Sequence, residues 1–129
     1  MIRSTKPTAS ELEILGVLWE KRRATVREIH EAINRRRPTA YTTVLKFMQI
    51  MLEKNLVRRD EKDRAHIYRP AQSQQQTQKS LVADLLDKAF RGSALTLVQH
   101  VLETKPASPE ELAEIRRMIN EAEAKGAKK

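Results

Sequence analysis

The chain has 129 residues, a formal net charge of +8, 33% charged and 4% aromatic residues, and no cysteine. The lack of cysteine excludes disulfides, thiol catalysis and cysteine-based metal or iron–sulfur sites. The length fits one domain or two small lobes, and the scarce aromatics favour a small, mainly helical protein over one with a large enclosed pocket. Neither an apolar signal core nor an apolar run of membrane-spanning length is present, which predicts a cytoplasmic protein without direct membrane insertion.

The positive charge is concentrated in the first part of the chain. Residues 1–70 hold 16 Lys or Arg against 9 Asp or Glu, a net of +7, whereas residues 71–129 hold 9 against 8. A locally basic surface attracts polyanions and releases their counterions on binding. A basic solubilising surface is the other interpretation, but the asymmetry favours a nucleic-acid partner.

Two capping boxes predict the first two helices. In such a box, two side chains three residues apart each bond a free backbone N–H of the first turn. The first helix would run from residue 8 to residue 22, with Trp19 in its apolar stripe, and the second would end at Asn34 and the arginine run. Residues 24–26 between them could form a short strand or a turn. The two boxes are Thr8 with Glu11 and Thr25 with Glu28.

A third helix and a charged hairpin follow. The helix is predicted from about residue 40 to residue 54, the first strand over 56–59 and the return strand over 65–69. This order of a helix and then a charged hairpin is that of a winged helix-turn-helix. The predicted fold is therefore mainly α with a small β-hairpin wing. Helical spacing gives the third helix a buried stripe and an opposite exposed face. The buried stripe is Val44, Met48, Met51 and Leu52. The exposed face is Thr42, Lys46, Gln49 and Glu53.

The start of the third helix carries residue types that suit a DNA groove. In a helix-turn-helix, the second helix of the motif lies in the major groove with its N-terminal residues at base edges. Threonine can bond a base or a phosphate, lysine prefers guanine or phosphate, and arginines before the helix position the protein on phosphates. The predicted DNA-binding residues are Arg35, Arg36, Arg37, Thr39, Tyr41, Thr42, Thr43, Lys46 and, at the wing tip, Arg64.

Structural roles compete for some of these residues. Tyr41 can pack inward, and the threonines can cap the helix. For Thr39 capping is the favoured interpretation, whereas for Thr42 and Lys46 DNA contact is favoured.

The rest of the chain predicts three amphipathic helices. The glutamine-rich residues 71–79 are a polar connector or the frayed start of the fourth helix. Ser93 can cap the fifth helix, Ser108-Pro109 can start the sixth, and residues 124–129 would be a frayed tail. So small a lobe buries too little surface to be stable alone, which predicts a two-fold homodimer. The residues predicted to dimerise are Leu81, Leu85, Leu95, Val98, Leu102, Leu112, Ile115 and Ile119.

Catalytic and metal chemistry has little support in the sequence. No nucleophile, base and orienting group stand out together, and no glycine-rich phosphate loop occurs. His30, His66 and His100 fall in different predicted elements. The chain is therefore predicted to be neither an enzyme nor a metal protein, and to need no cofactor.

Several segments together resemble the penicillinase-repressor family (the BlaI/MecI/CopY type). The resemblance implies a winged-helix repressor that binds an inverted-repeat operator as a homodimer, with residues 1–70 as the DNA-binding domain and residues 71–129 as the dimerisation lobe. Some family members are inactivated when a signal from a membrane sensor-protease leads to their cleavage. The segments are SELEIL (10–15), VLW (17–19), TVREI (25–29), AYTTV (40–44), LEKNLV (52–57) and IYRP (67–70).

The chain departs from the family pattern at three places. Asn55 stands where the family usually has glycine, and asparagine tolerates the left-handed backbone of that turn. Ile50 replaces an arginine, which removes one expected phosphate contact. His100-Val101 replaces the asparagine–phenylalanine cleavage bond, so release by proteolysis is not carried over. The copper-responsive branch uses C-terminal cysteine pairs, which this chain lacks.

Two other functions stay open on the sequence. One is a ligand-responsive winged-helix regulator, which would need a small-molecule pocket. The other is a winged-helix protein-interaction module, which would tolerate neutralisation of its basic residues and show little salt-sensitive DNA binding.

Overall fold

The computed structural model describes residues 6–61 and 65–127. These residues form six helices and one three-stranded antiparallel sheet with the strand order β1-β3-β2. The predicted fold class, mainly α with a small β-hairpin wing, is confirmed. In chain order the elements are α1 (Ala9–Lys21), β1 (Ala24–Thr25), α2 (Val26–Arg36), α3 (Tyr41–Glu53), β2 (Val57–Asp60), β3 (Ile67–Pro70), α4 (Gln74–Lys88), α5 (Ala94–Thr104) and α6 (Pro109–Ala127).

Side-chain caps start α1 and α2 where the sequence predicts them. The Thr8 hydroxyl accepts a hydrogen bond from the Glu11 N–H at 3.2 Å, and the Glu11 carboxylate accepts one from the Thr8 N–H at 2.9 Å. Thr25 and Glu28 repeat both bonds at the same distances. Each box satisfies backbone donors that no helical carbonyl can reach. Both predicted capping boxes are confirmed.

The start of α3 differs from the prediction. Its N-cap is Ala40, and no side chain caps it. The Thr39 hydroxyl instead donates to the Arg37 carbonyl at 2.9 Å, so the predicted cap by Thr39 is wrong. A side chain caps a helix by bonding the backbone of the first turn from the N-cap position. That position is Ala40, and Thr39 lies one residue before it. At the other end, Asn55 takes the expected left-handed backbone with φ of 62°.

Two helices are longer than predicted. α2 continues to Arg36, so the first two arginines lie in its last turn rather than ending it. α6 continues to Ala127, where a frayed tail was expected from residue 124. The last turns contain Arg35 and Arg36 in α2 and Lys125 in α6. Basic side chains there interact favourably with the negative end of a helix, which favours these longer helices.

Two compact units divide the chain between Leu81 and Val82, inside α4. In the N-terminal unit, α1, α2, α3 and the sheet enclose a single hydrophobic core. α3 contributes one side of its surface to this core, and Trp19 packs against it half-buried, as predicted. The buried apolar residues are Ile14, Leu15, Val17, Leu18, Ala24, Val26, Ile29, Ile33, Val44, Met48, Met51, Val57 and Tyr68.

The C-terminal unit is built differently. Its helices start as predicted, because Ser93 caps α5 and the Ser108 hydroxyl accepts from the Glu111 N–H at 3.0 Å. Residues 74–79 of the glutamine-rich segment form the start of α4, and they belong to the N-terminal unit. Over residues 82–127, however, no described side chain is buried. Large apolar side chains lie at the surface instead, and that of Leu95 is 80% exposed.

None of the described helices combines the length and the apolar character that a membrane span requires.

Candidate nucleic-acid interface

α3 presents a polar face opposite its buried stripe. Val44, Met48 and Met51 are at most 1% exposed, so they fix the rotation of the helix about its axis. This rotation brings the predicted DNA-contacting side chains of α3 to the surface. The exposed residues of this face are Thr42, Thr43, Lys46, Gln49 and Glu53.

Lys46 is available to an incoming anion. It forms no ion pair within residues 6–61 and 65–127, and it lies one helical turn after Thr42. Residues four apart stand side by side on a helix, so the two can contact neighbouring groups of one ligand. A lysine and a threonine in this arrangement offer four hydrogen-bond donors in total.

Tyr41 is partly packed and partly exposed. Its side chain is 45% exposed, so it is outside the core. Its ring makes an edge contact with the imidazole of His30, with the ring centroids 5.6 Å apart and the planes at 77°. One edge of the ring therefore packs while the rest stays available to a partner.

The arginine run is exposed but not wholly free. The Arg37 guanidinium lies 3.0 Å from the Glu13 carboxylate of α1, and that of Arg36 lies 4.0 Å from it. Arg35 and Arg36 also line a groove of about 320 Å³ between α1 and α2. Ion pairs at a surface contribute about 0–1 kcal/mol, so a phosphate can replace the carboxylate at little cost.

The hairpin formed by β2 and β3, the wing, carries a second basic site that the sequence did not single out. Arg58 and Arg69 stand directly opposite each other in the strand register, and both are exposed. Neither forms an ion pair with any residue in the described part of the chain, whereas Arg59 is paired with Glu61. Like charges directly opposite repel each other, and an anion placed between them relieves that repulsion.

Strand alternation alone does not find this pair, because which residues of the two strands face each other depends on the register, and the predicted strands 56–59 and 65–69 do not give that register. The predicted wing-tip residue, Arg64, lies outside the described residues.

Known proteins resemble this chain over nearly its whole length. The penicillinase repressor family matches residues 7–121. The transcriptional regulator BlaI of Mycobacterium tuberculosis (strain CDC 1551 / Oshkosh) is 35% identical over 126 residues, which cover 96% of this chain and 90% of that protein. The methicillin resistance regulatory proteins MecI of Mammaliicoccus sciuri and of Staphylococcus aureus (strain N315) are each 20% identical over 113 residues, which cover 88% of this chain and 92% of those proteins.

The matched span bears directly on the predictions. It begins before α1 and ends within α6, so it includes the exposed face of α3, the wing and most of the C-terminal unit. The relatives are named as regulators, and the prediction that the chain is not an enzyme is confirmed by this family relationship. The resemblance seen in the sequence is confirmed as well, and the chain belongs to the penicillinase repressor family.

Proposed function

We propose that this DNA-binding transcriptional repressor acts as a homodimer on an inverted-repeat operator. Residues 1–70 contact the DNA, and residues 71–129 join the two copies. The observation that carries the proposal is the exposed face of α3, where Thr42 and Lys46 stand one turn apart on a helix held by the core.

Within one copy, the residues proposed to contact DNA divide into two groups. Thr42, Thr43 and Lys46 occupy the N-terminal half of α3, which in a helix-turn-helix contacts base edges. The arginines of the run before α3 and of the wing contact phosphates, which set the position of the protein on the duplex but carry no sequence information. Occupying a promoter in this way represses transcription.

The C-terminal unit supports a second copy as its partner. Of the residues predicted to dimerise, five are exposed and three are half-buried within the single chain, and none is buried. Apolar side chains in this number gain stability when they leave water. A two-fold pair of such units would also present two α3 helices related by the symmetry of an inverted repeat. The exposed five are Leu85, Leu95, Val98, Leu102 and Ile119, and the half-buried three are Leu81, Leu112 and Ile115.

Release through a sensor-protease is not part of the proposal. The bond between His100 and Val101 lies in the middle of α5. A protease needs an extended backbone, so cutting there requires several turns of helix to unwind first.

Ligand-responsive release is a second candidate with one observation in its favour. An open groove of about 390 Å³ lies in the C-terminal unit, which is within the size range of small-molecule sites. Apolar side chains such as Val101, Leu102 and Ile115 line it. An apolar compound bound there would compete with the second copy for the same side chains.

The test of the proposed function begins with DNA selected from a random pool by the wild-type protein, where an inverted repeat is expected. Lys46→Ala is then expected to weaken binding to the selected duplex by about 1–3 kcal/mol, the effect of losing one base contact. Fluorescence anisotropy at constant salt measures this. Lys79→Ala, which removes an exposed lysine of α4, is the matched control. Equal affinities for wild type and Lys46→Ala would rule out the role of Lys46.

The wing pair should behave differently from Lys46. Arg58→Gln and Arg69→Gln are each expected to weaken binding to the selected and to a scrambled duplex equally, and to reduce the salt slope by about 1, as the loss of a phosphate contact does. Arg27→Gln is the control, because Arg27 is an exposed arginine paired with Glu31 on α2. An unchanged salt slope would exclude the wing pair from the interface.

A further inference from the structure

The turn that leads into α3 is held by side chains of α2. Residues 37–40 join the two helices, and α3 receives no side-chain cap of its own. The Arg37 N–H donates to the Ile33 carbonyl at 3.2 Å, which continues the backbone pattern of α2 for one more residue. Pro38 then fixes one backbone angle of the turn, because its ring locks φ. The geometry beyond this point depends on Thr39.

Two side chains bind both backbone groups of Thr39. The Thr39 N–H donates to the Asn34 side-chain carbonyl at 2.9 Å. Nε2 of His30 lies 2.7 Å from the Thr39 carbonyl oxygen, and because a carbonyl can only accept, Nε2 carries the proton and donates. His30 and Asn34 are four residues apart, so they stand side by side on one face of α2.

The same histidine also contacts the first residue of α3. Its ring packs against that of Tyr41 at 5.6 Å, so His30 holds the helix start at two points, through the Thr39 carbonyl and through the Tyr41 ring. The direction of the first turn of α3 thus depends on α2, whose own position is set by the buried Ile29 and Ile33.

We propose that His30 and Asn34 are positioning residues that set the direction in which the first turn of α3 enters the DNA groove. The inference rests on the proposed function, because it assumes that this turn reads bases. Base contacts need donors and acceptors held in one geometry, whereas attraction to phosphates tolerates small displacements. Loosening the turn should therefore reduce the preference for the operator more than the affinity for DNA in general.

Paired variants separate the hydrogen bonds from the bulk of the side chains. His30→Phe keeps a ring against Tyr41 but removes the donor, and His30→Gln places an amide N–H at a similar reach. Asn34→Ala removes the acceptor of the Thr39 N–H, and Asn34→Asp restores one. The probes are the duplex selected by the wild-type protein and a scrambled duplex of equal length.

We expect His30→Phe to weaken binding to the selected duplex about five- to tenfold, the effect of one net hydrogen bond, with a change of less than about twofold on the scrambled duplex. His30→Gln, which restores the donor but not the ring contact with Tyr41, should recover part of the binding to the selected duplex. Equal losses on both duplexes, or no rescue by glutamine, would overturn the positioning role.

Hydrogen exchange of the Thr39 amide in the free protein provides a readout that needs no DNA. It should be faster in Asn34→Ala than in wild type and be slowed again in Asn34→Asp. Unchanged exchange in Asn34→Ala would overturn the inference whatever the DNA results. If the wild-type protein enriches no sequence from the random DNA pool, the proposed function fails. Faster exchange of the Thr39 amide in Asn34→Ala would still show, independently of DNA, that α2 holds the turn.

Discussion

Replacing Lys54 with methionine is expected to lower the free energy of unfolding by about 3–5 kcal/mol, because it leaves a buried charge without its partner. The Lys54 ammonium lies 2.6 Å from the Glu11 carboxylate and 2.8 Å from the Lys6 carbonyl oxygen. The two charged side chains are 7% and 3% exposed. They join the end of α3 to the start of α1, so the pair holds the helix that carries the predicted reading residues.

Urea unfolding followed by circular dichroism measures this effect. Lys46→Met is the matched control, because it makes the same change at an exposed position of α3 and should alter stability by less than about 0.5 kcal/mol. The double variant Glu11→Gln/Lys54→Met should recover part of the loss, since it removes both charges and glutamine can still serve in the capping box. A Lys54→Met protein as stable as wild type would show that the pair contributes nothing.

The pair also predicts a dependence of stability on acid. Burial raises the pKa of Glu11, but the hydrogen bond from Lys54 and that from the Thr8 N–H outweigh burial and hold the pKa below its ordinary value of 4.5. A carboxyl group whose pKa is lower in the folded state stabilises the fold above 4.5, and this contribution is lost as the pH falls through the folded-state pKa. Unfolding curves between pH 7 and pH 3 should therefore show a loss in wild type that is smaller in Glu11→Gln.

The second large effect is expected from Leu95→Glu, which should convert the proposed dimer to a monomer and weaken binding to the selected duplex by about 100-fold or more. In a two-fold interface the substitution occurs twice, so two apolar contacts are lost and two charges are added. Burying one large apolar side chain stabilises an interface by about 1.5–3 kcal/mol, and this contribution is lost for both copies. Because Leu95 is 80% exposed in the single chain, its replacement removes almost no packing within that chain. A change in oligomeric state must then come from the contact between copies.

Sedimentation equilibrium and anisotropy with the selected duplex test this prediction together. Ala113→Glu adds the same charge at an exposed position on the polar side of α6, outside the predicted dimerisation set, and should leave both the oligomeric state and the affinity unchanged. A Leu95→Glu protein that remains dimeric would place the interface elsewhere. One that becomes monomeric but binds the operator at full affinity would separate dimerisation from DNA binding.

Features that depend on neighbouring residues could be predicted from the sequence. The capping boxes at Thr8 and Thr25 and the cap at Ser93 each require only a few residues in a known spacing. The left-handed backbone at Asn55 was expected from the family resemblance, because glycine usually stands at that position. Helical periodicity likewise separated the buried from the exposed face of α3, because the apolar side chains recur once per turn. Thr39 shows the limit of such reasoning. The helix starts one residue later than predicted, so Thr39 does not cap it and is instead bonded by His30 and Asn34.

Features that depend on distant residues could not be predicted. Lys54 and Glu11 are 43 positions apart, and nothing in their spacing signals a pair. Glu13 reaches Arg37 only because α1 and α2 pack together, and Arg58 faces Arg69 only once the register of the wing is known. The assignment of Thr42, Thr43 and Lys46 to DNA stays a prediction, although their exposure agrees with it.

The single tryptophan allows one contact within the molecule to be followed by fluorescence. The indole N–H of Trp19 donates to the Gln72 carbonyl oxygen at 3.1 Å, so α1 is tied to the segment that precedes α4. Indole emission shifts in wavelength when its hydrogen bonding and its exposure to water change. With excitation beyond the absorption of the two tyrosines, the emission of the unlabelled protein therefore reports on this contact, and an event that detaches the segment from α1 can be followed in real time without a dye.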